Sequence, residues 1–183
     1  MPKQQPATSE QSVQTPDVFV SAACRKLMIP EFNFDLAADS RNTKVRGETL
    51  IDNDGAGYVR KRHFDRRDNA LVQDWTLTEQ FNRYQAPPWS WLNPEFADIY
   101  PWAQKCVEEA ARGAWIAMLV PSSTGTEWWN DCVHGYAYVL ALRGRVKFVG
   151  HTNQYPKDLA LCLYTPIGFN GMDIWPWRES LQP

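Results

Sequence analysis

Residues 89–99 read WSWLNPEFADI and lie midway along the chain. The four residues Trp89–Leu92 are largely apolar and predict a buried strand, and Asn93-Pro94 directly after them predicts a turn. Proline holds such a turn rigid and removes one N–H donor. A turn of this kind is usually an ordinary strand exit.

Helices and strands alternate on both sides of this turn. Thr15-Pro16-Asp17 predicts the start of a helix, with Thr15 as N-cap and Pro16 in the first helical position. A second helix is predicted over Pro101–Arg112, stopped by Gly113. The predicted strands are Phe32–Asp39, Trp89–Leu92, Trp115–Pro121, Tyr136–Leu142, Val146–Val149 and Leu159–Tyr164. This alternation predicts an α/β fold with a mostly parallel sheet.

Chain length and composition predict one domain. The 183 residues are 44% hydrophobic, which is enough for a sizeable core. Residues 1–14 are polar and rich in Gln, Ser, Thr and Pro, so we expect a disordered leader there. We expect a single domain over residues 15–167 and an irregular, aromatic tail over residues 168–183. The nine tryptophans favour a Trp-rich core and stacking surfaces equally.

Net charge, cysteine spacing and hydropathy argue against an overall basic surface, a zinc site and a membrane-spanning segment. The net charge of −2 gives no overall basic field for nucleic acid, so any DNA contact must come from a local patch. Four scattered cysteines and three histidines, without a CxxC pair, do not form a zinc-binding pattern. The chain lacks an apolar run of about 18 residues and a signal-peptide pattern. We therefore expect a cytoplasmic protein with reduced thiols, no metal ion and no membrane association.

One local patch is strongly basic. Its five cations lie within eight residues of an otherwise acidic chain: Arg60, Lys61, Arg62, Arg66 and Arg67. Only Asp65 opposes them within this stretch. A solvated loop is one interpretation. We favour an arm that binds DNA phosphates, because Arg and Lys supply most of the nonspecific affinity for DNA.

The predicted strand at Phe32–Asp39 ends in a turn of small residues, Ala37-Ala38-Asp39-Ser40. In Rossmann-like sheets, a strand followed by such a turn and a helix receives a nucleotide-like cofactor. The GxGxxG pattern of that site is missing from the sequence. An ordinary strand-to-helix turn with solvated acids therefore remains the alternative.

The turn at Asn93 resembles a catalytic motif. Asn93-Pro94-Glu95-Phe96 is similar to the Asn/Asp-Pro-Pro-aromatic tetrapeptide of enzymes that methylate the amino groups of bases. From about Thr15 to Pro166 the chain resembles the small phage and prophage DNA N6-adenine methyltransferases, the phage Dam family. The landmarks of the resemblance are Thr15-Pro16, Phe34–Ala38, Asp68–Leu71 with Asp74-Trp75, Leu92–Pro94, Met118–Pro121 and Gly144–Phe148.

This resemblance implies a Rossmann-like class I methyltransferase fold, with a mostly parallel sheet covered by helices on both faces. It implies S-adenosylmethionine as cofactor and adenine in DNA as substrate, in a modification that protects phage DNA from restriction in a bacterial host. Asn93 and the Pro94 carbonyl would hold the adenine amino group, and Phe96 would stack on the extruded base. The residues implied at the cofactor are Thr15, Asp35, Ala37, Asp74 and Trp75.

Glu95 departs from the family motif, which has a second proline at this position. Glutamate restores an N–H and adds a carboxylate close to the base and the cofactor. Three interpretations follow: a tolerated variant, a carboxylate that serves a changed substrate, or a site that binds cofactor or DNA without catalysis. RNA or a protein amide is a weaker alternative acceptor. No pattern in the chain indicates the target sequence or the oligomeric state.

Overall fold

The central element of the fold is a six-stranded sheet. The computed structural model describes residues 14–38, 43–45, 48–51, 57–65, 67–77 and 87–181. Its helices are α1 (Asp17–Leu27), α2 (Tyr100–Ala111) and α3 (Glu127–Cys132). Its strands are β1 (Phe34–Asp35), β2 (Glu48–Ile51), β3 (Gly57–Arg60), β4 (Trp89–Leu92), β5 (Trp115–Pro121), β6 (Tyr138–Leu142), β7 (Leu159–Tyr164) and β8 (Gly171–Trp175).

The sheet has the strand order β1-β4-β5-β7-β6-β8, and β2 and β3 form a separate antiparallel hairpin. Of the six described strands of the sheet, five run in the same direction, and β7 runs antiparallel to β5 and β6. The predicted mixed α/β architecture with a mostly parallel sheet is therefore confirmed. The five strands of like direction end at the same side of the sheet, which we call the carboxyl edge.

Helices cover both faces of this sheet, as predicted. Successive side chains of a strand point to opposite faces, and β5 shows the consequence. Ile116, Met118 and Val120 pack with α2 and α3 in one core cluster. Ala117 and Leu119 pack with α1 in the other. The nearly continuous apolar sequence of β5 follows from this arrangement, because both faces of the strand are buried.

The predicted helices occur at the expected places. α1 begins at Asp17, with Pro16 rather than Thr15 as the capping residue and without a side-chain cap. α2 ends shortly before Gly113, whose φ of 122° suits glycine. β1 is shorter than predicted. Three strands match their predictions to the residue: Trp89–Leu92, Trp115–Pro121 and Leu159–Tyr164.

The strand predicted at Val146–Val149 is wrong. Val146 and Phe148 are buried and Lys147 is exposed, which is the alternation of a strand. Among the described residues, however, the segment forms one isolated bridge, from Val149 to Gln14, and joins no strand of the sheet. Alternating burial predicts an extended segment, and an extended segment packs on a core without needing a neighbouring strand.

The prediction of an irregular tail over residues 168–183 is also wrong. Gly171–Trp175 forms β8 and pairs in parallel with β6. Trp175 and Trp177 are buried against Phe19 of α1, with ring centroids 5.7 and 5.1 Å away. Burial of these two indoles orders the segment, since each aromatic side chain removes a large apolar area from water.

The β2–β3 hairpin falls in a stretch for which the sequence predicted no strand. Residues 1–13 of the predicted leader, and Asp39 and Ser40 of the predicted turn, lie outside the described residues. Among the described helices, none combines the length and the apolar character that crossing a membrane would require.

Candidate active site

The carboxyl edge has a switch point between β1 and β4. From β1 the chain passes through the β2–β3 hairpin to residues 62–64, which lie on the outer side of β1 through a parallel bridge between Asp35 and His63. It then returns to β4, on the inner side of β1, and continues to β5. Where successive strands diverge in this way, their loops separate and leave a crevice, which is the usual ligand site of open α/β sheets.

Two turns leave the sheet at this switch point. Asp35 pairs with Trp91 in the parallel register, and Leu36 donates a backbone hydrogen bond to Trp91 at 2.8 Å. Ala37 and Asn93 each follow two residues after this pair, so their turns start next to each other. The structure therefore brings together the predicted cofactor turn and the predicted catalytic turn, which are far apart in the sequence.

The Asp35 carboxylate organises the first of these turns. It is 3% exposed and accepts backbone N–H bonds from Ala37 at 3.3 Å and from Lys44 at 2.7 Å. Burial raises the pKa of Asp35 to about 6, and the two hydrogen bonds oppose that rise. The carboxylate is therefore an acceptor that shapes the turn at Ala37.

Thr15 lies in a short segment that runs between the loops following β6 and β1. On one side of it, Gln14 accepts a backbone hydrogen bond from Val149 at 2.9 Å. On the other, Asp17 pairs with Lys44 at 2.8 Å. Thr15 is 1% exposed, and its hydroxyl has no hydrogen-bond partner among the described residues. A buried hydroxyl without a partner is costly, which indicates that a ligand or an ordered water completes it.

The second turn contains the predicted catalytic residues. Asn93 directly follows the last residue of β4, so the sheet holds its position. Pro94 is buried, and Asn93 and Glu95 are half-buried. Phe96 packs against both core clusters and fastens the far end of the turn. The turn is therefore supported at both ends, as a rigid binding loop requires.

Phe96 belongs to an aromatic cluster with Phe148 and Tyr155, which we call the aromatic trio. The Phe96 ring meets Phe148 and Tyr155 edge-on, at centroid distances of 6.1 and 5.5 Å. Phe148 and Tyr155 are 5.6 Å apart. Sequence reasoning missed Tyr155 and used Phe148 only as a landmark of the resemblance. No local pattern marks these two residues, because tertiary contacts bring them to Phe96.

The structure places Trp75, which was expected at the cofactor, in the core. Its side chain is 0% exposed, and its indole N–H donates to the carbonyl of Ala70 at 2.8 Å. Its backbone N–H donates to the carboxylate of Glu109 on α2 at 3.0 Å. Trp75 thus anchors the segment after β3 to α2, and its contact with the cofactor stays a prediction.

Asp74 is tied to Arg112, the residue directly after α2. Its carboxylate accepts hydrogen bonds from Thr76 and from the guanidinium of Arg112, at 2.6 Å in each case. The Thr76 and Arg112 hydrogen bonds hold the pKa of Asp74 below its usual range. These contacts give each oxygen of the carboxylate a hydrogen-bond donor. A role of Asp74 at the cofactor stays a prediction.

The guanidinium of Arg62, which was expected to contact DNA, is bound within the protein, and the DNA contact stays a prediction. Arg62 is 3% exposed, and its guanidinium donates to the carbonyls of Asn33 and Phe32 at 2.8 and 3.2 Å. It also pairs with Glu31 at 2.9 Å. Because all these partners lie on the approach to β1, Arg62 fastens residues 62–64 to the outer side of that strand.

The remaining cations of the 60–67 cluster are in different situations. Lys61 is bound to Asp65 and Asp68, so its charge is compensated within the loop. Arg67 is exposed. The structure does not describe the side chain of Arg60, and Arg66 lies outside the described residues. The cluster is therefore not one uniform basic surface, and DNA binding by Arg60, Lys61, Arg66 and Arg67 stays a prediction.

The described residues contain no group of three His, Cys, Asp or Glu side chains suited to hold a metal ion. The four cysteines, all of them described, are buried and unpaired. Burial raises the pKa of the Cys106 and Cys162 thiols. The reactive thiolate form is thereby disfavoured, which suits thiols that serve as small core side chains.

Comparison with known proteins identifies the family. A model of the family described as DNA N-6-adenine-methyltransferase (Dam) matches residues 4–160, a range that includes both turns of the crevice. No curated protein and no solved structure gives a significant match. Because the family model covers well over half of the 183 residues, the chain belongs to the DNA N-6-adenine-methyltransferase (Dam) family.

Proposed function

We propose that the protein transfers a methyl group from S-adenosylmethionine to the N6 amino group of adenine in DNA. Membership of the family supports this reaction and this substrate. The observation that carries the proposal is the register of Asp35 with Trp91, which sets the Ala37 turn beside the Asn93 turn. Two binding turns at one crevice suit a reaction in which two bound molecules must be held in line.

A Rossmann-like class I methyltransferase fold is part of the same proposal. Its support is the mostly parallel sheet, the helices on both faces and the crevice at the switch point of the carboxyl edge. In such a fold the cofactor lies at the end of the first strand, which is β1 here.

Three of the predicted cofactor residues fit that ligand. Thr15 supplies a buried hydroxyl without a partner among the described residues, and a ligand group would satisfy it. Asp35 shapes the turn at Ala37, whose small side chain permits close approach. When bound, S-adenosylmethionine supplies an electrophilic methyl group on a sulfonium. Thr15, Asp35 and Ala37 are thus the residues that would hold it.

The Asn93 turn would activate the acceptor. An adenine amino nitrogen is a poor nucleophile, because its lone pair is delocalised into the ring. The side-chain oxygen of Asn93 and the carbonyl of Pro94 would accept its two N–H groups and stabilise the pyramidal nitrogen of the transition state. Phe96 would stack on the extruded base, and the aromatic trio holds the Phe96 ring.

Transfer of labelled methyl from S-adenosylmethionine to unmethylated DNA tests the proposal. We expect incorporation by the wild type and a loss of about 100-fold or more in Asn93→Ala, as for removal of other transition-state hydrogen bonds. Asn93→Asp is the matched control, since it keeps a side-chain oxygen and the family motif accepts either residue. Equal rates in the wild type and Asn93→Ala would exclude the role given to Asn93.

Glu95 favours a second candidate function, which is binding of cofactor or DNA without catalysis. Its half-buried carboxylate occupies the position of the second proline of the motif. Absence of incorporation, with cofactor binding still measurable by calorimetry, would support this alternative. A large gain of methylation in Glu95→Pro would indicate a damaged site, whereas a loss would show that Glu95 has a role of its own.

The biological role follows from the same proposal. We infer that the modified DNA belongs to a phage or prophage in the cytoplasm of a bacterial host and is protected from restriction. Expression in a bacterial strain without adenine methylation, followed by mapping of N6-methyladenine, would reveal the target sequence. RNA from the same cells provides the test of the alternative acceptor.

A further inference from the structure

The segment between β6 and β7 begins and ends at the carboxyl edge. β4, β5 and β6 run in the same direction, so Leu142 at the end of β6 lies at the same edge as Leu92 at the end of β4. β7 runs in the opposite direction and therefore starts there, with Leu159 paired to Pro121. Residues 143–158 thus belong to the edge that holds the Asn93 turn.

This segment has an inner and an outer side. Val146 and Phe148 are 0% and 2% exposed, and Phe148 contacts Phe96 of the catalytic turn. Arg145 and Lys147 alternate with them and are exposed. The inner side of one short segment therefore supports the catalytic turn, while the outer side presents two cations.

The segment is strongly basic. Residues 143–158 contain four cations and one acid, a net charge of +3 in a chain whose net charge is −2. The four cations, which we call the basic rim, are Arg143, Arg145, Lys147 and Lys157. Two of them form exposed ion pairs, with Glu179 and Asp158, and solvent weakens such pairs. The two lysines of the rim form no ion pair with the described residues.

The basic rim differs from the 60–67 cluster in the availability of its charges. In that cluster Arg62 is buried, and Lys61 is bound by two carboxylates. The described cations of the rim lie on the surface instead. A phosphate that approaches the rim meets two lysines that form no ion pair with the described residues and two arginines held only in exposed ion pairs.

We propose that the basic rim binds the phosphates of double-stranded DNA next to the base that enters the crevice. An enzyme that extrudes a base must hold the backbone around that base. Cations on phosphates provide such positioning without reading the sequence. The inference rests on the proposed methyl transfer to DNA, and it makes the rim, rather than the 60–67 cluster, the principal phosphate contact.

The double variant Arg145→Gln/Lys147→Gln tests this inference. Its matched control is Arg25→Gln/Lys26→Gln, which removes two exposed cations from the last turn of α1. Binding of an unmethylated DNA duplex is measured by fluorescence anisotropy at several salt concentrations. For the rim variant we expect a Kd at least about tenfold higher and a salt slope smaller by about 1.8, because each phosphate contact contributes about 0.9. The control is expected to stay within about twofold of the wild type.

Several results would overturn the inference. They are a wild-type Kd and slope in the rim variant, an equal loss in the control, a larger loss in Lys61→Gln/Arg67→Gln, or tighter binding of RNA than of duplex DNA by the wild type. In methylation assays the rim variant is expected to raise KM for DNA and to leave kcat and cofactor affinity unchanged. A fall in kcat with an unchanged KM would contradict a phosphate contact.

The outcome is separable from that of the proposed function, because anisotropy requires no methyl transfer. If the wild type transfers no methyl group but the rim variant binds DNA more weakly than the wild type, the phosphate contact of the rim is supported and the catalytic function is refuted. If methyl transfer depends on Asn93 but the rim variant binds DNA as tightly as the wild type, only the phosphate contact of the rim is refuted.

Discussion

The ring of Phe96 packs edge-on against Tyr155, with 5.5 Å between the ring centroids and 68° between the ring planes. Phe148 packs against both rings. The residue expected to stack on the base is therefore held by two residues from the segment between β6 and β7. The same segment carries the basic rim, so one segment supports both the Phe96 ring and the exposed cations.

Replacement of Tyr155 by leucine is expected to lower kcat for DNA methylation about three- to tenfold. An edge-on aromatic pair contributes about 0.5–1.5 kcal/mol, and without it the Phe96 ring loses its fixed orientation. Fluorescence of 2-aminopurine at the target position should fall in parallel, since it reports extrusion of the base. Tyr155→Phe keeps the ring and is expected to keep both signals. Unchanged fluorescence and kcat in Tyr155→Leu would contradict this role.

Replacement of Thr15 by valine is expected to stabilise the fold and to weaken binding of the cofactor. Without ligand, removal of a buried hydroxyl that lacks a partner should raise the free energy of unfolding by about 1 kcal/mol. Affinity for S-adenosylmethionine should fall about three- to tenfold, the value of one net hydrogen bond. Urea denaturation and calorimetry measure the two effects, with Thr15→Ser as the control. A less stable protein with unchanged affinity would refute the assignment.

Stability should depend on pH through Asp35. Burial raises the pKa of this carboxyl from 3.8 to about 6, so between these values the folded state binds more protons than the unfolded state. Stability therefore falls as pH rises through this range. Relative to Asp35→Asn, the free energy of unfolding of the wild type is expected to decrease by about 1.4 kcal/mol from pH 5 to pH 7. A difference that stays constant or grows would show that the pKa is not raised.

Replacement of Arg62 by glutamine is expected to lower the free energy of unfolding by about 2 kcal/mol. The carbonyls of Asn33 and Phe32 would lose buried donors, and Glu31 would lose its partner. The control is Arg67→Gln, an exposed substitution that should stay within about 0.5 kcal/mol of the wild type. Urea denaturation of both variants decides the matter, and equal losses would speak against an anchoring role for Arg62.

Elements with a strong local signal were predictable from the sequence. Trp115–Pro121 is a continuous apolar run, which a strand buried on both faces requires, and it forms the central β5. Pro16 and Gly113 mark helix ends, because proline suits a helix start and glycine suits a positive φ after its end. In such cases the physical cause lies within a few residues of the element itself.

The sequence gives no indication of burial for residues whose environment lies elsewhere in the chain. Arg62 and Trp75 look like exposed functional residues in the sequence, but both are buried, by contacts with the segment before β1 and with α2 respectively. Trp175 becomes part of a strand because β6 and the α1 core accept it. A side chain carries no mark of its burial, which depends on where the sheet places its neighbours.

The same division applies to the candidate site. Local sequence was enough to single out the turn at Asn93, the turn after Asp35 and the family that they resemble. Only the tertiary structure shows three further features: the pairing of Asp35 with Trp91, the buried Thr15 hydroxyl without a hydrogen-bond partner among the described residues, and the contact of Tyr155 with Phe96. The two contacts join segments that are distant in sequence, and burial of Thr15 likewise depends on segments far from it in the chain. No stretch of sequence contains both sides of such a contact.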